Sequence, residues 1–238
     1  MANIGHGEKF EALKARLMLT AAKLFLAKGY TATKLVDISR AAECDNNAVP
    51  RVFGDKDGLL AELVAYVLEG QFKATAEFLA NIEHDKILFY AAETTLQLYM
   101  AESSEHIREL YSIAYSSPKS SSIIYDTITK KLEDIFKEYL PHLNSNDFYE
   151  LELASGGIMR SFLTVPCDRY FTMERKVKRF LETTFLVYEV PKEKIAQAIE
   201  FVSEFDYPAL AQRAVSNMLG FLERNLEKFN LNQDSSLT

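Results

Sequence analysis

A chain of 238 residues, 48% hydrophobic and 26% charged, can bury one large core or two small ones and has an ordinary globular composition. Its two cysteines, Cys44 and Cys167, form no CxxC pair, which excludes a disulfide framework or cysteine zinc site and fits a reducing cytoplasm. The net charge of −7 argues against a protein that coats nucleic acid, yet residues 1–60 hold nine Lys/Arg against seven Asp/Glu and the remainder 18 against 27. A mildly basic end on an acidic body suits a small DNA-reading module. Glu8, Lys9, Glu11, Lys14 and Arg16 precede any apolar stretch, so no signal peptide is expected. Charge interrupts every apolar run before membrane-spanning length, and a cytoplasmic protein with no membrane partner is expected.

In chain order, Phe10, Leu13, Leu17, Ala21, Leu24 and Phe25 recur at helical spacing, and Gly29 stands as a C′ residue, so the first helix covers about residues 8–28. Thr33 caps a short second helix that turns Leu35, Ile38 and Ala41–Ala42 inward. Asp45 is a good cap for a third, and Asp55 for a long fourth carrying Leu59, Leu60, Leu63, Val64, Val67 and Leu68. Pro50 conflicts with that third helix: five residues past Asp45, its missing N–H would have bonded the Asn46 carbonyl. A proline inside a helix costs about 3 kcal/mol, so a kinked or 3₁₀-like segment is expected there.

The remaining text is helical. Asp85, Ser103 or Ser104, Ser117–Pro118, Asp147 with Glu150, and Thr172 open successive helices, and two more follow Pro191 and Pro208. Residues 231–238 read as a disordered tail. No strand alternation or internal repeat is found. The fold class is all-α.

Three short helices, the second and third joined by a tight turn, form a helix-turn-helix pattern. The stretch "AAKLFLAKGYTATKLVDISRAAECDNNAVPRVFGDKDGLL" resembles the N-terminal domain of TetR-type transcriptional regulators through Ala22, Leu24–Phe25, Gly29–Tyr30, Thr33, Asp37–Ile38, Ala41–Ala42, Phe53, Lys56 and Leu59–Leu60. The resemblance covers about a fifth of the chain. Glu43 departs from the family's usual glycine, and Pro50 from its usual phosphate-contacting aromatic. It implies a helix-turn-helix domain over 1–56, with the third helix as recognition helix, and a helical regulatory and dimerisation domain over 57–230.

Thr33 and Lys34, at a helix N-terminus, suit phosphate. Asn46, Asn47 and Arg51 have the donors that read adenine and guanine edges, and Lys56 resembles the family's phosphate-contacting lysine. The resemblance implies double-stranded DNA and an unknown small-molecule effector as partners of a homodimer acting as a repressor on a palindromic operator. Candidate effector residues are Phe72, Tyr99, Tyr111, Tyr115, Met159, Arg160 and Phe162, although most of these also read as plain core and Arg160 as half of an ion pair. Gly156–Gly157 within a helix indicates close backbone approach, either across a dimer interface with Phe180 and Phe185 or within the chain. The other reading of the whole chain is a protein of the same fold that lost DNA binding through Pro50. The four histidines are scattered, and there is no HExxH, phosphate loop or GxSxG, so neither an enzyme nor a cofactor or metal site is expected.

Overall fold

The computed structural model describes residues 4–234, with side chains from 7 to 228. The described residues form eleven helices and no strand: α1 (Ile4–Lys28), α2 (Leu35–Ala41), α3 (Ala48–Phe53), α4 (Lys56–Leu79), α5 (Lys86–Glu102), α6 (Glu105–Ala114), α7 (Pro118–Phe136), α8 (Ser145–Thr164), α9 (Met173–Val187), α10 (Lys192–Ser203) and α11 (Tyr207–Asp234). Side-chain caps start many of them: Asp55 accepts from Gly58 N–H, Asp85 from Leu88, Ser104 from His106, Asn144 from Asn146 and Thr172 from Arg175. α11 continues to Asp234, into the stretch read as a tail, and residues 235–238 lie outside the described residues.

There are two cores. The smaller joins α1, α2 and α3 through Leu17, Phe25, Ile38, Ala48 and Val49, and takes Leu59 and Leu63 from α4 and Leu222 from α11. The larger fills the body with Leu60, Val64 and Leu68 from α4 and with residues of α5 to α11. The expected boundary at residue 56 therefore falls at the head of a helix whose successive faces serve both cores. α11 lies along α1, where Lys23 and Glu223 form an ion pair at 2.7 Å.

The expected break at Pro50 does not occur. Asp45 makes a local turn, its carboxylate accepting from Asn47 N–H (3.0 Å) and its carbonyl from Ala48 N–H (2.9 Å). Asn47 is the N-cap, and the first i→i−4 bond runs from Arg51 N–H to the Asn47 carbonyl at 3.0 Å. Pro50 is therefore the third helical residue. N–H groups in the first turn of a helix have no intrahelical partner, so its missing donor removes no bond. The cost of about 3 kcal/mol expected for a helix interior does not arise.

The turn from α3 into α4 depends on Gly58, where a Cβ would lie 2.1 Å from the Phe53 carbonyl oxygen. At the turn before α3, Glu43 holds φ at 53°, the left-handed conformation that glycine adopts without strain.

Because Pro50 fits its backbone and restricts the unfolded chain, Pro50→Ala should lower stability by about 0.4–1 kcal/mol. A urea titration that finds the alanine variant more stable would restore the idea of a strained proline.

Candidate nucleic-acid interface and effector site

α2 and α3 turn one polar face to solvent. Lys34, Asn46, Asn47, Pro50 and Arg51 are exposed, while Ile38, Ala48 and Val49 on the reverse are fully buried. Arg51 pairs with Asp45 at 2.9 Å, and both side chains are 55% exposed. Such a surface pair is weak and screened by salt, so the guanidinium can exchange it for a base edge or phosphate. The same hydrogen bond and charge hold the Asp45 carboxyl below its ordinary range. Arg51 also joins Lys9 and Arg16 around a cleft of about 480 Å³ between α1 and α3. These two α1 cations were not read from the sequence; only the basic balance of residues 1–60 hinted at them.

Two residues expected on DNA are turned inward. Thr33 is 1% exposed and its hydroxyl donates to the Gly29 carbonyl at 2.7 Å, so the N-cap position falls to Lys34, whose N–H is taken by Asp37 (3.1 Å). Lys56 donates to the Tyr30 carbonyl at 2.5 Å and sits 3.9 Å from the centre of the Tyr30 ring; burial lowers its ammonium pKa. Both residues shape the corner between α1 and α2. At that corner the Glu109 carboxylate of α6 accepts from the N–H groups of Tyr30 (2.8 Å) and Thr31 (3.0 Å), and His106 Nδ1 lies 2.9 Å from the Leu26 carbonyl. Burial alone would raise the Glu109 carboxyl, but the bonds from Thr31 and Tyr30 outweigh it and hold the pKa low.

Inside the body lies a cluster of buried polar groups. Glu93 of α5 and Glu152 of α8 are 5% and 3% exposed. The Tyr188 hydroxyl donates to Ser155 Oγ (2.7 Å), which donates to Glu152 Oε2 (2.8 Å), and Gln97 Nε2 donates to the Tyr115 hydroxyl (3.2 Å). Three other buried residues, Gln71 and Thr75 of α4 and Thr129 of α7, have side-chain polar atoms with no partner among the described residues. Orphaned groups of this kind usually mark a missing partner. Burial raises Glu93 to about 7 against the opposing charge of Lys131. Burial raises Glu152 to about 8, with the Glu93 charge adding to it and the Ser155 bond opposing.

The expected effector residues are scattered. Tyr115 belongs to the polar cluster, and Tyr111, close enough to feel Glu93 and Tyr115, lines the neighbouring apolar cavity. Phe72 stacks on Phe89 beneath Lys131, Tyr99 on Tyr207, and Phe162 meets Phe180 edge-on. Met159 is buried; Arg160 is exposed and forms no ion pair among the described residues, so it neither faces a cavity nor joins a glutamate. The two residues that matter most here, Glu93 and Glu152, were missed. A signal existed for Glu93, which is the lone charge between Lys86 and Glu102.

The expected dimer residues also divide. Phe180 and Phe185 are 0% exposed and belong to the body core. Gly156 is buried within the chain, where a Cβ would lie 3.1 Å from both Tyr125 and Glu152, so its close approach is intrachain. Gly157 is exposed with nothing within 4 Å, on a face shared with exposed Tyr149 and Leu153.

A helix-turn-helix with an exposed polar third helix, set on a helical body, is the arrangement found in DNA-binding transcriptional regulators. Residues 17–63 match the family model described as bacterial regulatory proteins, tetR family. Over that segment, about a fifth of its length, the chain is similar to TetR-family regulators. It is 22% identical over 160 residues to the probable HTH-type transcriptional regulator YttP of Bacillus subtilis (strain 168), covering 66% of this chain and 70% of that protein. In structure it is similar to RolR, solved in complex with resorcinol, with a TM-score of 0.62 and 14% identity over 83% of this chain and 96% of the other. A gamma-butyrolactone receptor (ArpA-like protein) matches at a TM-score of 0.40 and 16% identity, covering 88% and 99%.

The fold keeps both buried glutamates protonated where the unfolded chain would ionise them, so the folded state binds more protons. Stability should therefore fall as pH rises from the ordinary glutamate range and level off above about 8. Urea midpoints taken from about pH 5 to about pH 9 should trace that decline, and Glu152→Gln should make it shallower. Midpoints that climb with pH over this window would mean that the carboxylates are ionised and paired.

Proposed function

We propose that this chain is a ligand-responsive repressor that acts as a homodimer on a palindromic operator. The observation that carries the reading is the rigid polar face of α2 and α3: Lys34, Asn46, Asn47 and Arg51 are exposed above a fully buried apolar side. Arg51 and the two asparagines read bases, and Lys34, with Lys9 and Arg16 flanking, holds phosphate. Thr33 and Lys56 position the corner and do not touch DNA. The competing idea, a fold that lost DNA binding through Pro50, keeps only the missing phosphate-contacting aromatic in its favour, since the residue falls in the first turn of α3 and breaks no helix.

The effector is a small molecule bound at the polar cluster of Glu93, Gln97, Tyr115 and Glu152. A ligand that pairs those groups shifts the two recognition helices away from the spacing of about 34–36 Å that successive major grooves require. Two copies meet through the exposed face of α8, where Tyr149 (39% exposed) and Leu153 (45%) flank Gly157, with Leu186 (61%) of α9 nearby in sequence order.

An operator is first obtained by selection from random DNA. On it, Arg51→Ala should cost about 1–3 kcal/mol and relax preference at one position, while Lys34→Ala should weaken all sequences and reduce the salt slope by about one. Lys56→Ala should lower the melting temperature and leave the salt slope unchanged. Equal, sequence-blind losses at Arg51 and Lys34 would remove Arg51 from base reading.

Gly157→Leu meets nothing within its own chain, so the monomer fold is retained and only a packed twin would clash. Sedimentation should show a shift toward monomer together with weaker operator binding; a variant that remains dimeric would move the interface off α8.

A further inference from the structure

We propose a second ligand site in this protein, beside the polar cluster: an apolar pocket, open on one side, at the junction of the DNA-reading domain and the body that takes a small apolar molecule of about benzene's size. The cavity measures about 120 Å³ and is bounded by Phe25 and Leu26 of α1, Val64 and Val67 of α4, Leu110 of α6 and Met218 of α11. Its only polar side-chain atoms are the hydroxyls of Tyr66 and Tyr111. The first donates to the Met218 carbonyl at 3.2 Å, and the second points to the Met100 sulfur at 4.0 Å.

This chemistry selects the ligand. A water placed there would lack the two to four polar partners that hold buried water. A charged or strongly polar molecule would lose its hydration without replacement bonds. An apolar cavity of about 150 Å³ engineered into another protein stays dry and takes up benzene or xenon. The Met218 side chain, three rotatable bonds long and packed 3.2 Å from where a Gly70 Cβ would lie, can adjust to different occupants.

The position couples the site to DNA reading. One wall is α1, which belongs to the small core, and the opposite walls are body helices. An occupant touches both and stabilises the setting of α1 against α4 and α6 seen here, so its occupancy changes the population of that setting.

The test uses benzene and the full-length chain. At benzene tenfold above half-saturation, the melting temperature should rise by about 3–6 °C. Val67→Phe and Ala114→Phe fill the cavity from two sides and should abolish the rise, whereas Glu152→Gln, in the polar cluster, should retain it. If Ala114→Phe does not fold, Val67→Phe decides alone. No rise in the wild-type chain, or a rise that survives in the filled variant, overturns the site. Operator affinity should respond to benzene in the wild type and not in Val67→Phe; benzene binding with unchanged operator affinity overturns the coupling and leaves the site standing. Failure of the selected-operator experiment itself would count against the regulator reading and not against the cavity.

Discussion

The carboxylate of Glu109 accepting two backbone N–H groups, from Tyr30 and Thr31, holds the DNA-reading domain to the body. Charge-assisted bonds of this kind are stronger than neutral ones, and these satisfy donors in the segment between α1 and α2. The corner is built to receive that carboxylate. Gly29 takes φ of +87°, and a Cβ there would lie 2.6 Å from a Glu109 oxygen, so only glycine lets α6 approach. Lys56 closes the corner from α4, bonded to the Tyr30 carbonyl below a ring that also packs on Phe25. Four helices thus meet around one backbone segment, which ties α6 and α4 to the chain that leads into α2.

How much was legible in the sequence follows from what spacing can encode. Helix positions were legible, because apolar period and capping chemistry act locally: Asp55, Asp85 and Thr172 cap where they were expected to, while Asn144 caps the helix that Asp147 was expected to open, with Asp147 bonding back to its N–H. Asp45 misled because the same side chain that caps a helix can also close a turn one step before it. Thr33 misled for a related reason, since its hydroxyl turned back to Gly29 and left the cap to the next residue. The site was harder. Period identifies an apolar face without saying whether it meets its own chain or a twin, so Phe180 and Phe185 were expected at an interface and lie in the core. Glu93 and Glu152 stand 59 positions apart in the sequence, on α5 and α8, and only the tertiary fold brings their charges into interaction.

The body therefore has two interiors of opposite chemistry. One holds protonatable carboxyls, hydroxyls and the amide of Gln97; the other is lined almost wholly by carbon. A polar effector gains hydrogen bonds in the first and would lose hydration in the second, whereas a hydrocarbon behaves in the opposite way. Discrimination between them comes from desolvation and needs no difference in shape. Titration of the glutamates also makes the polar interior the part of the body most sensitive to pH.

Leu222 of α11, 6% exposed, completes the small core that Leu17, Phe25, Ile38 and Val49 begin. The ribosome makes the helix-turn-helix first, yet the residue that seals it arrives after nearly the whole body has been synthesised. Until α11 has emerged, that core lacks its cover along α1. The finish of the N-terminal domain thus depends on a helix about two hundred residues further along the chain.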